Sequence, residues 1–345
     1  MSLIQTRLLG YVLEEANNLS ANENRETVAP VLDLFIRDTP NLVNPTTLRG
    51  IKGSRDRPVQ IPVLNRANTT VTNAGLTCTV PDTINVSAML NLNYVTHSFQ
   101  ITQYPHQFAN NYISEQEDFN NQFKDGINKI KIAIEAQCVA ALNNNRNQVW
   151  NPTTLGPFTQ TANALRVTPA QRAQAFNTIT PYFGANDFPT GQLNVAAGYG
   201  VWPDIMYWMN QGAANSVNSS FQFLNFNFNF SRRVTPGLTS IGSAFVMPRG
   251  TVGIVEWIPG QFSDPNSPKT GDKIWDRVFV PELGMDMGVY YTYGCADNSV
   301  GSGDSSATAV ERKTFGFTIS VATIVSYNSN IATQVSPIVR MEFDS

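Results

Sequence analysis

Between Phe119 and Ala141 the apolar residues Phe119, Phe123, Ile127, Ile130, Ile134, Cys138 and Ala141 recur at intervals of four, four, three, four, four and three. That is the period of one helical face, and it predicts a long helix over residues 116–142. At ~1.5 Å per residue it spans about 40 Å. Ser114 stands three residues before Glu117, the spacing of a capping box, so the start falls as early as Ser114. Glu115, Glu117 and Asp118 load the first turn with negative charge, and Asn143, Asn144 and Asn145 supply a stop. Gly126 costs such a helix ~1 kcal/mol relative to alanine, so its presence predicts close packing or a slight bend. From Ile130 the apolar arc widens to include Ile132, Ala136, Val139 and Ala140. The first half of this spine should have a wet face and the second half should be nearly surrounded by protein.

Before the spine the pattern is thinner. Leu3, Ile4, Leu8, Tyr11 and Val12 form an amphipathic stripe, and VLDLFIRD gives a brief apolar patch before Pro40, Asn44 and Pro45. Residues 1–45 therefore read as an extended arm. Residues 46–93 alternate around Val59, Ile61 and Val63, the turn-like Asn73-Ala74-Gly75, and Ala88, Leu90 and Leu92. This reads as a long β-hairpin with too few large apolar residues to stand alone, so it should lie on a neighbour. In the strand YVTHSFQIT, residues Val95, His97, Phe99 and Ile101 share a face.

After the spine, Thr168 and Pro169 open a second helix through Ile179, and Pro203 opens a third over residues 202–211. Phe221, Phe223, Leu224, Phe226, Phe228 and Phe230 mark an aromatic strand with a slip at Leu224 that a β-bulge would absorb. Further strands are expected at 242–246, 252–257 and 278–280. Phe315, Phe317, Ile319, Val321 and Val325 line a long strand, and residues 338–343 form another. The economical α+β arrangement pairs both terminal strands with residues 94–102 beneath the spine. Residues 94–150 and 311–345 then make one domain, with residues 151–310 inserted in it.

Composition narrows the functional classes. The chain has 345 residues, 42% hydrophobic but only 14% charged, enough to bury a sizeable core while leaving an uncharged polar surface suited to packing against other copies. A net charge of -3 gives no global case for nucleic-acid binding. Cys78, Cys138 and Cys295 are scattered and odd in number, which suggests reduced, packed thiols. No signal-peptide pattern or membrane-length apolar run occurs, so a soluble, intracellular product is expected.

The order of these parts is similar to the major capsid proteins of tailed bacteriophages, the Hong Kong 97 type fold. The resemblance rests on residues 94–142 (THSFQIT, HQFANNYISEQED, AIEAQCVAAL), on GQLNVAAGYGVWPDIMYWM and on TFGFTISVATIV. It covers essentially the whole chain. It implies an N-terminal arm (1–45), an E-loop hairpin (46–93), a peripheral domain with the spine (94–150), an axial domain (151–310) and C-terminal strands returning to the peripheral domain (311–345). It further implies hexamers and pentamers closing an icosahedral shell around double-stranded DNA in a virion assembled in the host cytoplasm. Portal, decoration and separate scaffolding proteins are the implied partners, with only weak, non-specific DNA contact and no membrane. Rival readings are an encapsulin-like compartment shell and another structural phage protein.

Candidate chemistry is sparse, and no cofactor, metal or catalytic constellation is expected. His97 reads as a packed core histidine, His106 sits beside Pro105, and Asp286 has no partner at catalytic spacing. Nucleotide-binding and hydrolase motifs are lacking. The one basic cluster, Arg49, Lys52, Arg55, Arg57 and Arg66, suggests contacts between subunits, as do Leu8 and Tyr11 in the arm. In some members of the resembled family a hairpin lysine is crosslinked to an asparagine of a neighbour. Lys52 is the lysine of this hairpin, and nothing nearby marks it as activated.

Overall fold

The computed structural model describes residues 28–54, 57–58, 60–64, 87–105, 114–146, 158–161, 164–185, 188–206, 225–259, 262, 273–297, 309–326 and 336–345. The N-terminal stripe with Leu8 and Tyr11, the aromatic slip at Leu224, and Arg55, Arg66, Cys78 and His106 lie outside these residues.

The spine, α3, runs Glu115–Asn144. Ser114 caps it: its hydroxyl accepts from Glu117 N at 3.2 Å, while the Glu117 carboxylate accepts from Ser114 N at 2.9 Å. Phe119, Phe123, Ile127, Ile130, Ile134, Cys138 and Leu142 are buried and Ala141 is half-buried. The second half is not surrounded by protein as expected: Ala136 and Ala140 are exposed, and Ile132 and Val139 only half-buried. The buried residues rest on a five-stranded sheet built around β12 (Ala309–Val325). At about 3.3 Å per residue, β12 is roughly 55 Å long, more than one neighbour can cover. One edge takes β3 (Val95–Gln103), with Phe317 opposite Phe99 and Phe315 opposite Ile101. The other takes β11 (Met285–Asp297) along residues 309–318 and then β9 (Val252–Trp257) along 320–325. β10 (Lys273–Val280) closes the far side against β11.

Gly126 marks the tightest approach of spine to sheet. A Cβ there would overlap the Phe99 ring, which is itself stacked on Phe317 with centroids 4.7 Å apart. The ring has little room to yield. Gly126→Ala is therefore expected to destabilise by about 1–2 kcal/mol in urea unfolding, the overpacking cost outweighing the ~1 kcal/mol gained in helix propensity. Phe99→Leu in the same chain should recover part of that loss.

The second sheet has six strands in the order β4 (Thr159–Thr161), β5 (Ala164–Val167), β13 (Val339–Asp344), β8 (Ser240–Pro248), β6 (Leu193–Ala197), β7 (Phe226–Phe230). One face sends Ala196, Phe245 and Met247 into the core shared with the spine. The opposite face, with Val195, Ala197, Ala244 and Val246, packs against Phe176, Ile179 and Phe183 of α4 (Ala175–Ala185).

Several expectations need correction. Residues 30–42 are not extended: they form α1 (Pro30–Leu42), whose Val31, Leu32, Leu34 and Phe35 are at most 1% exposed within the main core. The apolar run VLDLFI carries enough buried surface to hold this segment inside its own chain, at ~25 cal/mol per Å². Residues 45–53 are the helix α2, not hairpin strand; Asn44 caps it by accepting from Thr46 N at 2.9 Å. The described hairpin strands are β1 (Gln60–Leu64) and β2 (Ser87–Asn91), which pair with each other alone.

β13 does not return to the spine sheet. It sits between β5 and β8, with Val339, Met341 and Phe343 fully buried, a central position that suits its apolar run. Conversely, β9, β10 and β11 leave the expected insertion for the spine sheet, because β12 needs their edges. The second helix begins as a 3-10 turn (Pro169–Gln174) and then continues as α4 past Pro181 to Ala185, where buried Tyr182 and Phe183 offset the proline's cost. Of the third helix, the described residues 202–206 are helical.

Candidate functional site at the hairpin base

The described members of the basic cluster, Arg49, Lys52 and Arg57, lie where α2 and the hairpin base meet the spine sheet. Val43, Ile51, Ile61 and Leu92 pack there with Val255, Ala322 and Ile324 as a small separate core. Its rim is polar. Trp257 Nε1 donates to Ser54 O at 3.2 Å, the Tyr94 and Trp257 rings lie 6.2 Å apart, and the Arg57 guanidinium sits 5.9 Å from the Tyr94 ring centroid. Burial pushes the Tyr94 hydroxyl up to about 12 despite the nearby Arg57 charge.

Lys52, expected at a contact between subunits, pairs within the chain with Glu256 of β9. The Glu256 side chain is 3% exposed against 41% for Lys52, and it also accepts from Asp286 N at 3.0 Å. The cluster is thus divided: Lys52 and Arg57 are engaged within the chain, while Arg49 is exposed.

Desolvation raises the Glu256 pKa above its ordinary 4.5, with Asp286 adding to the rise and Lys52 opposing it. A carboxyl whose folded pKa is raised contributes stability below its unfolded pKa and loses it as pH rises through the folded one. Glu256→Gln, which keeps an acceptor for Asp286 N, should therefore gain stability relative to the parent as pH rises from about 4 to 7. Paired urea melts across that range would show a widening gap; a constant or narrowing gap contradicts the assignment.

Two acidic residues that the periodicity did not single out join the parts of the molecule. Glu135, fully buried on the spine, accepts from Val31 N at 3.3 Å and pairs with Arg233. It stands in for the capping side chain that Ala29 cannot supply, and its charge suits the N-terminus of α1. Asp38, near the other end of α1, accepts from Gly250 N at 2.8 Å, Thr251 N at 3.1 Å and Val252 N at 3.3 Å in the turn between β8 and β9. For Glu135 the readable signal was a charge embedded in an apolar run, AIEAQC; Asp38, beside Arg37 at the end of VLDLFIRD, offered none.

Elsewhere the expected chemistry stays quiet. His97 is half-buried rather than core-packed, lying 3.1 Å from Gln137 Oε1, because β3 is a sheet edge whose start at Val95 is 45% exposed. Asp286 pairs with Arg277 across the β10–β11 hairpin. Cys138 is buried, and desolvation together with Glu135 pushes its thiol far up. Among the described residues no group of histidine, cysteine and acidic side chains could hold a metal, and no helix is long and apolar enough to cross a membrane. An unanticipated surface is the corner where Tyr199 and Trp202 pack on Phe230 beside Ile241. Tyr199, Trp202 and Ile241 are each more than 40% exposed there.

No protein-family model matches the chain, and no curated protein matches it. Solved structures do. A chain of the cyanophage Pam1 capsid asymmetric unit superposes with a TM-score of 0.50 at 10% identity, over 90% of each chain. Mycobacterium phage Adephagia gives 0.48 at 12% identity, over 93% of this chain and 91% of that one. The SrpI encapsulin complex from Synechococcus elongatus gives 0.40 at 10% identity, over 88% and 89%. The chain has the α+β fold of a phage capsid protein over nine-tenths of its length.

Proposed function

We propose that a chain with this fold over nine-tenths of its length is a major capsid protein of a tailed bacteriophage. In this reading it assembles as hexamers and pentamers into an icosahedral shell around double-stranded DNA, and acts through assembly rather than catalysis. The observation that carries the proposal is the fold match to the Pam1 capsid chain over 90% of both chains. Fold alone does not assign function, so the support from the chain's own surfaces matters. β1 and β2 hydrogen-bond only with each other among the described residues; Ile61 seats the base of this ribbon on its own chain's core, and a two-stranded ribbon extending from it is marginal without a further surface. The chain's 14% charged content and the exposed Tyr199, Trp202 and Ile241 suit repeated contact between copies. Many modest contacts, each copy touching several others, add up through multivalency. Arg49, Lys52, Arg55, Arg57 and Arg66 with the arm residues Leu8 and Tyr11 are the proposed inter-subunit contacts, Lys52 being also tied to Glu256 of its own chain.

Virion assembly in the host cytoplasm, with portal, scaffolding and decoration partners, belongs to the same reading. Negative-stain microscopy of the chain, expressed alone and with its neighbouring structural genes, should show closed shells or hexameric and pentameric rings. A chain that remains monomeric at high concentration under both conditions overturns the proposal. Nuclease-protected DNA in purified native particles supports the virion; protected cargo enzymes in place of DNA would favour a compartment shell.

A further inference from the structure

The cleft between α1 and the second sheet has a composition that the shell reading leaves unused. It encloses about 180 Å³ and is lined by Leu34, Arg37, Asp38, Asn41, Gln192, Asn194, Asn227 and Arg249. Apart from Leu34, every lining side chain is polar. Neither arginine has a carboxylate partner among the described residues. Arg37 donates through Nε to Asp33 O at 3.3 Å and through Nη2 to Asn229 Oδ1 at 2.7 Å, while Arg249 donates through Nη1 to Gln192 Oε1 at 3.1 Å. A guanidinium carries five N–H donors in a planar fork, so each retains donors beyond those neutral acceptors.

The only carboxylate lining the cleft is Asp38, and it is already committed to the amides of Gly250, Thr251 and Val252 and to Asn41 Nδ2 at 3.3 Å. Two guanidinium charges against one carboxylate leave a net positive cleft. The remaining lining groups, Asn41, Gln192, Asn194 and Asn227, carry amide donors. Asn194 is 4% exposed, and the Asn227 amide donates to its Oδ1 at 3.4 Å. Paired guanidinium forks with neutral amide donors, and no free competing carboxylate, are the chemistry that chelates a tetrahedral oxyanion.

We infer that the cleft between α1 and the second sheet, floored by Asn194 and flanked by Arg37 and Arg249, is a phosphate-binding site. The phosphate can be free or part of a phosphodiester backbone, since the donors presented are the same. The site does not depend on shell formation, so it stands or falls separately from the proposed function.

Isothermal titration of the purified full-length chain with inorganic phosphate, at low and constant ionic strength, tests the inference. Saturable binding is expected, weakened at least tenfold in Arg37→Gln/Arg249→Gln. Because Arg37 also holds Asn229, Arg249→Gln alone provides a second variant at an exposed position, and urea melts verify that each variant is folded. Displacement of a fluorescent single-stranded oligonucleotide by phosphate, with parallel weakening in both variants, identifies the phosphodiester as the source. Phosphate binding with oligonucleotide affinity unaltered by the variants identifies free phosphate. No saturable binding at millimolar phosphate, or undiminished affinity in the folded double variant, overturns the inference.

Discussion

Ile134→Asp is expected to abolish folding, giving insoluble protein or a chain with no cooperative urea transition. Ile134 is fully buried in the cluster that unites the spine, α1 and both sheets. Removing its side chain costs ~2–5 kcal/mol through lost packing alone. The carboxyl adds several kcal/mol more, either as an unpaired buried charge or as a neutral acid without partners. Together these reach ~5–10 kcal/mol, as large as the whole stability of many domains, which lies at ~5–15 kcal/mol. Ile134→Val, which removes one methylene, should cost only ~0.5–1.5 kcal/mol and remain soluble. A soluble aspartate variant with the parent's urea midpoint would show that this part of the spine is not core.

Asp38→Ala should follow closely, with an expected loss of about 3–5 kcal/mol. The side chain is 2% exposed and accepts hydrogen bonds from three consecutive backbone amides, those of Gly250, Thr251 and Val252. Gly250 has φ +82, a left-handed conformation that aims its N–H inward and that a side chain would strain. Without the carboxylate, these donors lose their acceptor in a buried turn. Asp38→Asn keeps one oxygen but brings an NH₂ group against the same donors, so it should recover less than half of the loss. Urea unfolding, read by tryptophan fluorescence because Trp257 ends β9, would measure both variants. A loss below about 1 kcal/mol in the alanine variant would mean that water replaces the carboxylate.

The two variants divide along what could be read from sequence. Ile134 belongs to a period of 3.6, and a helix turns such a period into one continuous apolar face whatever lies opposite. For the same reason the Ser114–Glu117 cap, the alternation of β3, and the alternation along β12 could be read locally. Asp38 offered no period. Its partners are more than 200 residues away, and only the docking of α1 against the turn between β8 and β9 brings them together.

The basic cluster teaches the same lesson. Five cations within eighteen residues suggested an outward-facing patch, yet Lys52, still partly exposed, is paired because folding places a buried carboxylate on β9 within its reach. A charge's exposure is decided by what the fold sets opposite it.

By itself, then, the sequence determined the spine helix with its cap and buried face and the long strand beneath it. Each follows from the geometry of a single element. The tertiary structure alone decided that residues 30–42 enter the core, that β13 crosses to the second sheet, that β9 to β11 line the edge of β12, and that Glu135 and Asp38 hold α1 at its two ends. Periodicity says which face of an element must be covered. Which partner covers it is settled by competition among all the apolar faces and open strand edges of the folded chain.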